Sequence, residues 1–149
     1  MRKMTIGLLA NILSGIKINR VPGREAKGAL MKDYLAFRKI ATKADADKNE
    51  IVRKFQADWA DELEDVEAQR EANRKNGTDL PIHGHDAYLE AEDVALDAIA
   101  IIDEEDVEVQ VAKVKAELLY DPDLWPDDVT LGQIPGTIEF LIANGVAED

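Results

Sequence analysis

The chain has 149 residues, a length suited to one domain with a buried core, and it contains no cysteine, which excludes disulfides and thiolate zinc sites. Hydrophobic residues make up 46% but aromatic residues only 5%, so alanine supplies much of the apolar content and a thin core between helices is expected. The net charge of −13 divides unevenly, at +8 for residues 1–54 and −21 for residues 55–149.

This composition restricts the class of partner. The absence of cysteine favours a reducing cytoplasm, and no stretch approaches the roughly 20 apolar residues of a membrane span. Nucleic acid is disfavoured because the acidic part of the chain would repel phosphates and few aromatic residues lie among the basic ones. The charge asymmetry predicts that a basic end of the molecule meets an acidic end, its own or a neighbour's; the alternative is a solvated acidic surface.

The first 22 residues predict a short helix and an extended segment. Residues 5–13 place their isoleucine and leucine side chains on one helix face, with Thr5 as the cap. Residues 16–21 have the alternating apolar spacing of an extended chain and are followed by Pro22 and Gly23.

Residues 24–75 predict one long helix, or two helices joined within the polar stretch 43–49. They contain no proline, and their apolar residues follow a three-and-four spacing that forms a continuous helix face. No proline forces a break, which slightly favours continuity, and a continuous helix of this length would project as a coiled-coil arm. This apolar face, here called the seam, is expected to be a buried contact, and its main candidates are Phe37, Phe55, Trp59 and Leu63.

A polar loop and a second helix follow, which predicts an αα-hairpin of antiparallel neighbours. Asp86 is the expected cap of the second helix, which runs to about Ile102. In "DVEVQVAKV", valines alternate with other residues, which predicts a strand over 107–114. The candidate partner of this strand is the segment 16–21 or another chain.

The carboxyl-terminal part is predicted to be rich in turns and then helical. Leu124 and Trp125 are expected to be buried anchors, residues 137–144 form a short helix, and Gly145 ends it. The predicted fold is therefore mainly α with a small β element: a long helix and αα-hairpin, one or two short strands and a short carboxyl-terminal helix. A single domain 1–149 is expected, with segments 1–22, 23–103 and 104–149.

Two groups of residues could carry chemistry. His83 and His85 flank Gly84 and could share a metal ion, but no other metal-binding motif accompanies them, and a helix connection is the simpler interpretation. On the two helices of the hairpin, carboxylates at i, i+3 spacing could converge on Mg²⁺. These carboxylates are Glu64, Glu67, Glu90 and Asp93.

This spacing resembles the ExxE…ExxD pattern of the all-α nucleoside triphosphate pyrophosphatases. The resemblance implies a Mg²⁺-dependent enzyme, in which the four carboxylates would hold the metal against a nucleoside triphosphate. Basic residues that would bind the triphosphate are sparse nearby, with Arg70 and Arg74 the obvious ones. A solvated acidic helix face accounts for the same residues.

The order of elements over about residues 20–142 resembles small helical phage and prophage proteins of unknown function. It combines the long charged helix, the strand "DEEDVEVQVAKVK" and the closing "DDVTLGQIPGTIEFLI". The resemblance implies a phage context, in a host cytoplasm or a virion, and no catalytic residues.

The leading functional hypothesis is a non-enzymatic interaction or assembly protein, phage-derived if the resemblance holds, that forms a homo-oligomer through its long helix, with the seam residues as the candidate contact, and that binds a protein or small-molecule partner. No cofactor is expected under this hypothesis. The alternative is the Mg²⁺-dependent pyrophosphatase-like enzyme.

Overall fold

A computed structural model describes all 149 residues and has the predicted mainly helical fold with a small β element. Five α-helices follow one another along the chain: α1 (Lys3–Gly15), α2 (Arg24–Asp58), α3 (Ala60–Asn76), α4 (Asp86–Glu104) and α5 (Ile134–Ala143). Two short strands complete the regular structure: β1 (Val114–Lys115) and β2 (Ala147–Glu148). Short 3₁₀ turns are formed by Ile18–Arg20, Ala116–Leu119 and Pro122–Leu124.

The long helix is continuous through the polar stretch 43–49 and is interrupted at Trp59. Trp59 has φ −120° and ψ 26°, outside the helical region. Its N–H still donates to the Phe55 carbonyl at 3.0 Å, and its own carbonyl accepts from Leu63 N–H at 2.9 Å. The interruption is therefore a local distortion of one residue.

The chain divides into two compact units. Unit 1 comprises Met1–Lys43 and Glu105–Asp149, and unit 2 comprises Ala44–Glu104, so that α2 belongs to both. Unit 1 contains 12 Lys or Arg and 13 Asp or Glu, a net charge of −1, whereas unit 2 contains 6 and 18, a net charge of −12. Almost all of the negative charge of the protein therefore lies in unit 2.

The hydrophobic core lies in unit 1, because apolar residues of α1, α2, α5 and the turns between β1 and α5 pack together. Leu124 and Trp125 are the buried anchors predicted from the sequence. The indole Nε1 of Trp125 donates to the Leu119 carbonyl at 2.7 Å, which satisfies its polar group inside the core. The largest fully buried side chains of this core are Phe37, Ile6, Leu9, Leu13, Leu30, Leu119, Leu124, Ile138 and Leu141.

The predicted strand over 107–114 is wrong for most of its length. Only its end belongs to β1, which pairs in parallel with β2 in the register Val114↔Ala147 and Lys115↔Glu148. The partner predicted at 16–21 is also wrong, since Ile18–Arg20 forms a 3₁₀ turn. β2 is brought beside β1 by the turn after α5, where Gly145 adopts φ 77° as the predicted helix end.

Several helix boundaries differ from their predicted positions by a few residues. α1 begins at Lys3 without a side-chain cap, and α5 begins at Ile134. Asp86 is the first helical residue of α4 and not its cap. The carbonyl of His85 accepts the Leu89 N–H at 3.0 Å, so His85 occupies the cap position.

Candidate interaction site

The side chains predicted to form the seam make contacts within the chain. Phe37 is fully buried in the core of unit 1. In unit 2, the Phe55 and Trp59 rings pack on the Tyr88 ring, with centroid distances of 5.1 Å and 6.0 Å. Leu63 is half-buried. The Phe55 and Trp59 rings therefore hold the junction of α2 and α3 against α4 inside unit 2.

Two amide side chains of α3 fix the loop that leads into α4. Asn73 donates from Nδ2 to the Leu80 carbonyl at 2.9 Å, and its Oδ1 accepts the Leu80 N–H at 3.2 Å. Gln69 makes the same pair of bonds with His83, at 3.1 Å and 2.9 Å. The two amides lie four residues apart on one helix face and satisfy backbone groups that have no strand partner.

The two histidines belong to this loop connection. His83 is exposed and uses its backbone groups, while Gly84 adopts φ 81°, which favours glycine. The Nε2 atom of His85 lies 2.7 Å from Asp65 Oδ2. Hydrogen bonds from His85 and Gln69 lower the pKa of Asp65. The histidines therefore serve the connection of the hairpin, as the simpler interpretation predicts.

The four carboxylates of the Mg²⁺ alternative do not come together. All four are exposed, and the structure has no group of three or more acidic or histidine side chains placed to hold a metal ion. Glu67 lies 3.5 Å from Arg70, and no ligand set forms around it. The four carboxylates of the Mg²⁺ alternative are Glu64, Glu67, Glu90 and Asp93.

The polar contact between α3 and α4 is instead an ion pair that sequence reasoning missed. Arg70 donates to Glu92 through both terminal nitrogens, at 2.9 Å and 2.6 Å. The hydrogen bond with Arg70 lowers the pKa of Glu92, and it raises the pKa of Arg70. The sequence did contain a signal for this pair, since Arg70 and Glu92 carry opposite charges and lie at similar sequence distances from the hairpin loop.

One flank of α4 carries an apolar stripe, here called the α4 stripe, in which Ala87, Val94 and Ile101 are exposed and Ala91 and Ala98 are half-buried. Its residues follow a four-and-three spacing and therefore share one side of the helix: Ala87, Ala91, Val94, Ala98 and Ile101. Val94 is 70% exposed and Ile101 is 67% exposed. α4 contains seven Asp or Glu and no Lys or Arg. The helix thus combines unburied aliphatic side chains with an entirely acidic surround.

The first half of α2 carries the opposite surface, here called the α2 outer face. Met31 and Leu35 are exposed on the side of α2 that points away from the core of unit 1. Arg38 stacks over the Tyr34 ring at 5.9 Å. The basic residues exposed on this part of α2 are Arg24, Lys27, Lys32, Arg38 and Lys39. This surface is an apolar patch with a basic surround.

Comparison with known protein families, with curated proteins and with solved structures finds no match. None of the helices combines the length and apolarity that crossing a membrane requires.

Proposed function

We propose that this protein is a non-enzymatic assembly protein whose copies join head to tail. In this proposal, the α4 stripe of one copy packs on the α2 outer face of the next. The observation that carries the proposal is the exposure of Val94 and Ile101, at 70% and 67%, on a helix that has carboxylates and no cation. Large aliphatic side chains exposed at helical spacing are typical of a surface that receives another helix.

The apolar parts of the two surfaces suit side-by-side helix packing. Met31 and Leu35 are four residues apart and neighbour each other on one helix face, while Val94 and Ile101 are seven apart, two turns along one face with Ala98 between them. Fully burying a valine or isoleucine side chain contributes about 1.5–3 kcal/mol. The free energy gained by burying a few such side chains only modestly exceeds the free-energy cost of association, so the contact is expected to be reversible.

The charges favour a contact between α4 and a different surface of the second copy. They disfavour a two-fold contact between the α4 helices of two copies. An α4–α4 contact would place two wholly acidic surfaces against each other, which costs free energy at short range. The α2 outer face offers exposed lysines and arginines around its apolar centre instead. A contact between unlike surfaces is heterologous, and it produces a closed ring or an open filament.

The proposal keeps the setting predicted from the sequence. A chain without cysteine suits a reducing cytoplasm, and a head-to-tail assembly suits either a host cytoplasm or a virion if the protein is phage-encoded.

The test compares two substitutions at equally exposed positions. Val94→Glu places a charge in the α4 stripe, and Leu131→Glu places one at a residue of unit 1 that is also 70% exposed. In sedimentation velocity, we expect the wild type and Leu131→Glu to form species larger than a dimer as concentration rises, and Val94→Glu to stop this growth. Equal behaviour of Val94→Glu and Leu131→Glu would contradict the proposal.

A mixing experiment tests the head-to-tail geometry. Leu35→Glu disables the α2 outer face at a residue that is 56% exposed, and Val94→Glu disables the α4 stripe. Each variant keeps the surface that the other has lost. Mixing the two should therefore give a species larger than either variant forms alone. A mixture that sediments as the sum of its parts would exclude a heterologous contact between these faces.

A further inference from the structure

The segment 107–113 has backbone groups without partners in the middle of its length. Val107 donates its N–H to the Met1 carbonyl at 2.8 Å, and Ala112 donates its N–H to Asp33 Oδ1 at 2.8 Å. Between them, the backbone N–H and C=O groups of residues 108–111 form no hydrogen bond within the chain. Backbone groups of this kind are a template for pairing with another strand.

The side chains of this segment alternate as in a strand with one covered face. Val107, Val109 and Val111 pack against the core of unit 1, and the residues between them are exposed. This is the alternation that predicted a strand from the sequence, so the segment has the pattern of a strand and lacks the partner.

A groove runs beside the unpaired backbone. It has a volume of about 770 Å³ and is lined by residues 106–111 and Lys113, together with Met1, Asn144 and Gly145. The groove is open to solvent on one side, so an extended chain can enter it beside the segment.

Charge along the segment identifies the occupant. Near its beginning, Glu108 forms no ion pair within the chain, and near its end Lys113 forms none either. Lys113 and Lys115 are the only basic residues after Lys75. Glu108 and Lys113 are both exposed, since the alternation shifts by one residue at Ala112. Two such segments complement each other only when they run antiparallel.

We propose that two copies pair antiparallel through segment 107–113 in a ladder centred on Gln110, with Ala112 as the extra residue of a β-bulge, so that Glu108 of one copy faces Lys113 of the other. The contact is two-fold symmetric, and main-chain hydrogen bonds and two ion pairs hold it. It extends the proposed assembly by a second contact, and it uses residues outside the α4 stripe and the α2 outer face. The test of this strand pairing is therefore independent of the test of the head-to-tail contact.

The backbone test uses proline at Gln110, whose N–H is unbonded in the structure. Gln110→Pro removes that donor and obstructs strand pairing, whereas Gln110→Ala shortens the same exposed side chain and keeps the donor. Both are made in the Val94→Glu protein, so that head-to-tail growth does not obscure the result. Sedimentation velocity should show a dimer for Val94→Glu and for its Gln110→Ala form, and a monomer for its Gln110→Pro form.

A charge exchange tests the direction of pairing and does not depend on whether the proline variant folds. Lys113→Glu, in the same background, should raise the dimer dissociation constant about tenfold, because it creates two repulsive cross-strand pairs. Adding Glu108→Lys should restore the affinity, because both ion pairs re-form with reversed polarity.

Three results would overturn the strand pairing: a monomeric Val94→Glu protein at all concentrations, a dimer that a folded Gln110→Pro form retains, or no rescue by the charge exchange. A monomer that binds a foreign extended peptide along 107–113 would also overturn it, in favour of a different occupant. If the Val94→Glu protein still forms the larger species that the wild type forms, only the head-to-tail proposal fails. The proline and charge variants then still test the strand contact.

Discussion

The two units of the chain reach stability by different means. In unit 1, the apolar residues of α1, α2 and α5 bury one another in a single core at a net charge of −1. In unit 2, only three side chains are buried, those of Ala44, Val66 and Tyr88, at a net charge of −12. The comparison shows that unit 2 is a helical framework with little core, held mainly by contacts at the edges of its helices.

The contacts within unit 2 combine half-buried aliphatic side chains, among them Leu63, Leu89 and Ile99, with polar and aromatic contacts. They include the Arg70–Glu92 pair, the bond of Lys48 to Asp103 at 2.8 Å and the two amide bridges to the loop. A typical hydrogen bond contributes only about 0.5–1.5 kcal/mol net. We therefore expect unit 2 to open at a lower free energy than unit 1. The exposure of Val94 and Ile101 in the α4 stripe belongs to the same pattern, because a unit with a thin core leaves aliphatic side chains unburied.

The two tryptophans provide the largest test of this comparison. Trp125 is 4% exposed in the core of unit 1, and Trp59 is half-buried on the Tyr88 ring of unit 2. Trp125→Ala should lower the free energy of unfolding by about 3–5 kcal/mol. Trp59→Ala should cost less, since fewer of its contacts are removed from water. Urea denaturation followed by far-ultraviolet circular dichroism measures both, and an equal or larger loss for Trp59→Ala would contradict the comparison.

A buried carboxylate in unit 1 makes the stability of this unit depend on pH. Asp33 is fully buried, its Oδ2 atom has no hydrogen-bond partner, and burial raises its pKa from 3.8 to about 6. The folded protein therefore holds the proton more tightly than the unfolded chain does. The stability that this group contributes is full below about pH 4 and is lost as the pH rises through about 6.

Asp33→Asn should remove this pH dependence. The asparagine Oδ1 can still accept the Ala112 N–H, and no charge is left in the core. At pH 8 we expect the variant to be more stable than the wild type by about 1–3 kcal/mol, because each pKa unit corresponds to about 1.36 kcal/mol. The difference should shrink toward pH 4. Urea titrations at both pH values check this; a difference that does not change with pH would show that folding does not raise the pKa of Asp33, and a variant that loses more stability at pH 8 than at pH 4 would show that the charged hydrogen bond outweighs the desolvation.

The smallest expected effect lies in the loop of unit 2. Gln69→Ala removes both bonds to His83 and should cost about 0.5–1.5 kcal/mol of local stability. Amide hydrogen exchange should show faster exchange at His83, whose N–H then loses its acceptor. Gln56→Ala, at an exposed residue of α2 without such a bond, is the matched control. Unchanged protection at His83 would mean that the amide bridge does not hold the loop.

The sequence predicts the helices well because their signals are local. The continuity of α2, the turn at Gly145 and the anchors Leu124 and Trp125 all follow from spacing, proline and glycine. The interruption at Trp59 was not predicted, since no proline or glycine in the sequence marks it.

The strands and the candidate site were harder to predict because they depend on pairing. The valine alternation correctly indicates one covered face over 107–111, but it contains no information about the partner strand. The i, i+3 carboxylates suggest a metal site that the helix faces do not assemble. The exposure of the α4 stripe depends on which side of α4 meets α2 and α3, and apolar spacing alone does not distinguish a buried face from an exposed one.

Sedimentation velocity at low and high salt tests the head-to-tail assembly most directly. The screening length falls from about 10 Å at 0.1 M to about 3 Å at 1 M salt, so attraction between the acidic α4 and the basic α2 outer face should weaken. We predict that the wild-type protein forms species larger than a dimer at about 0.1 M NaCl and loses them at about 1 M. Species larger than a dimer that persist or increase at high salt would contradict the account, because apolar burial alone is strengthened and not weakened by salt.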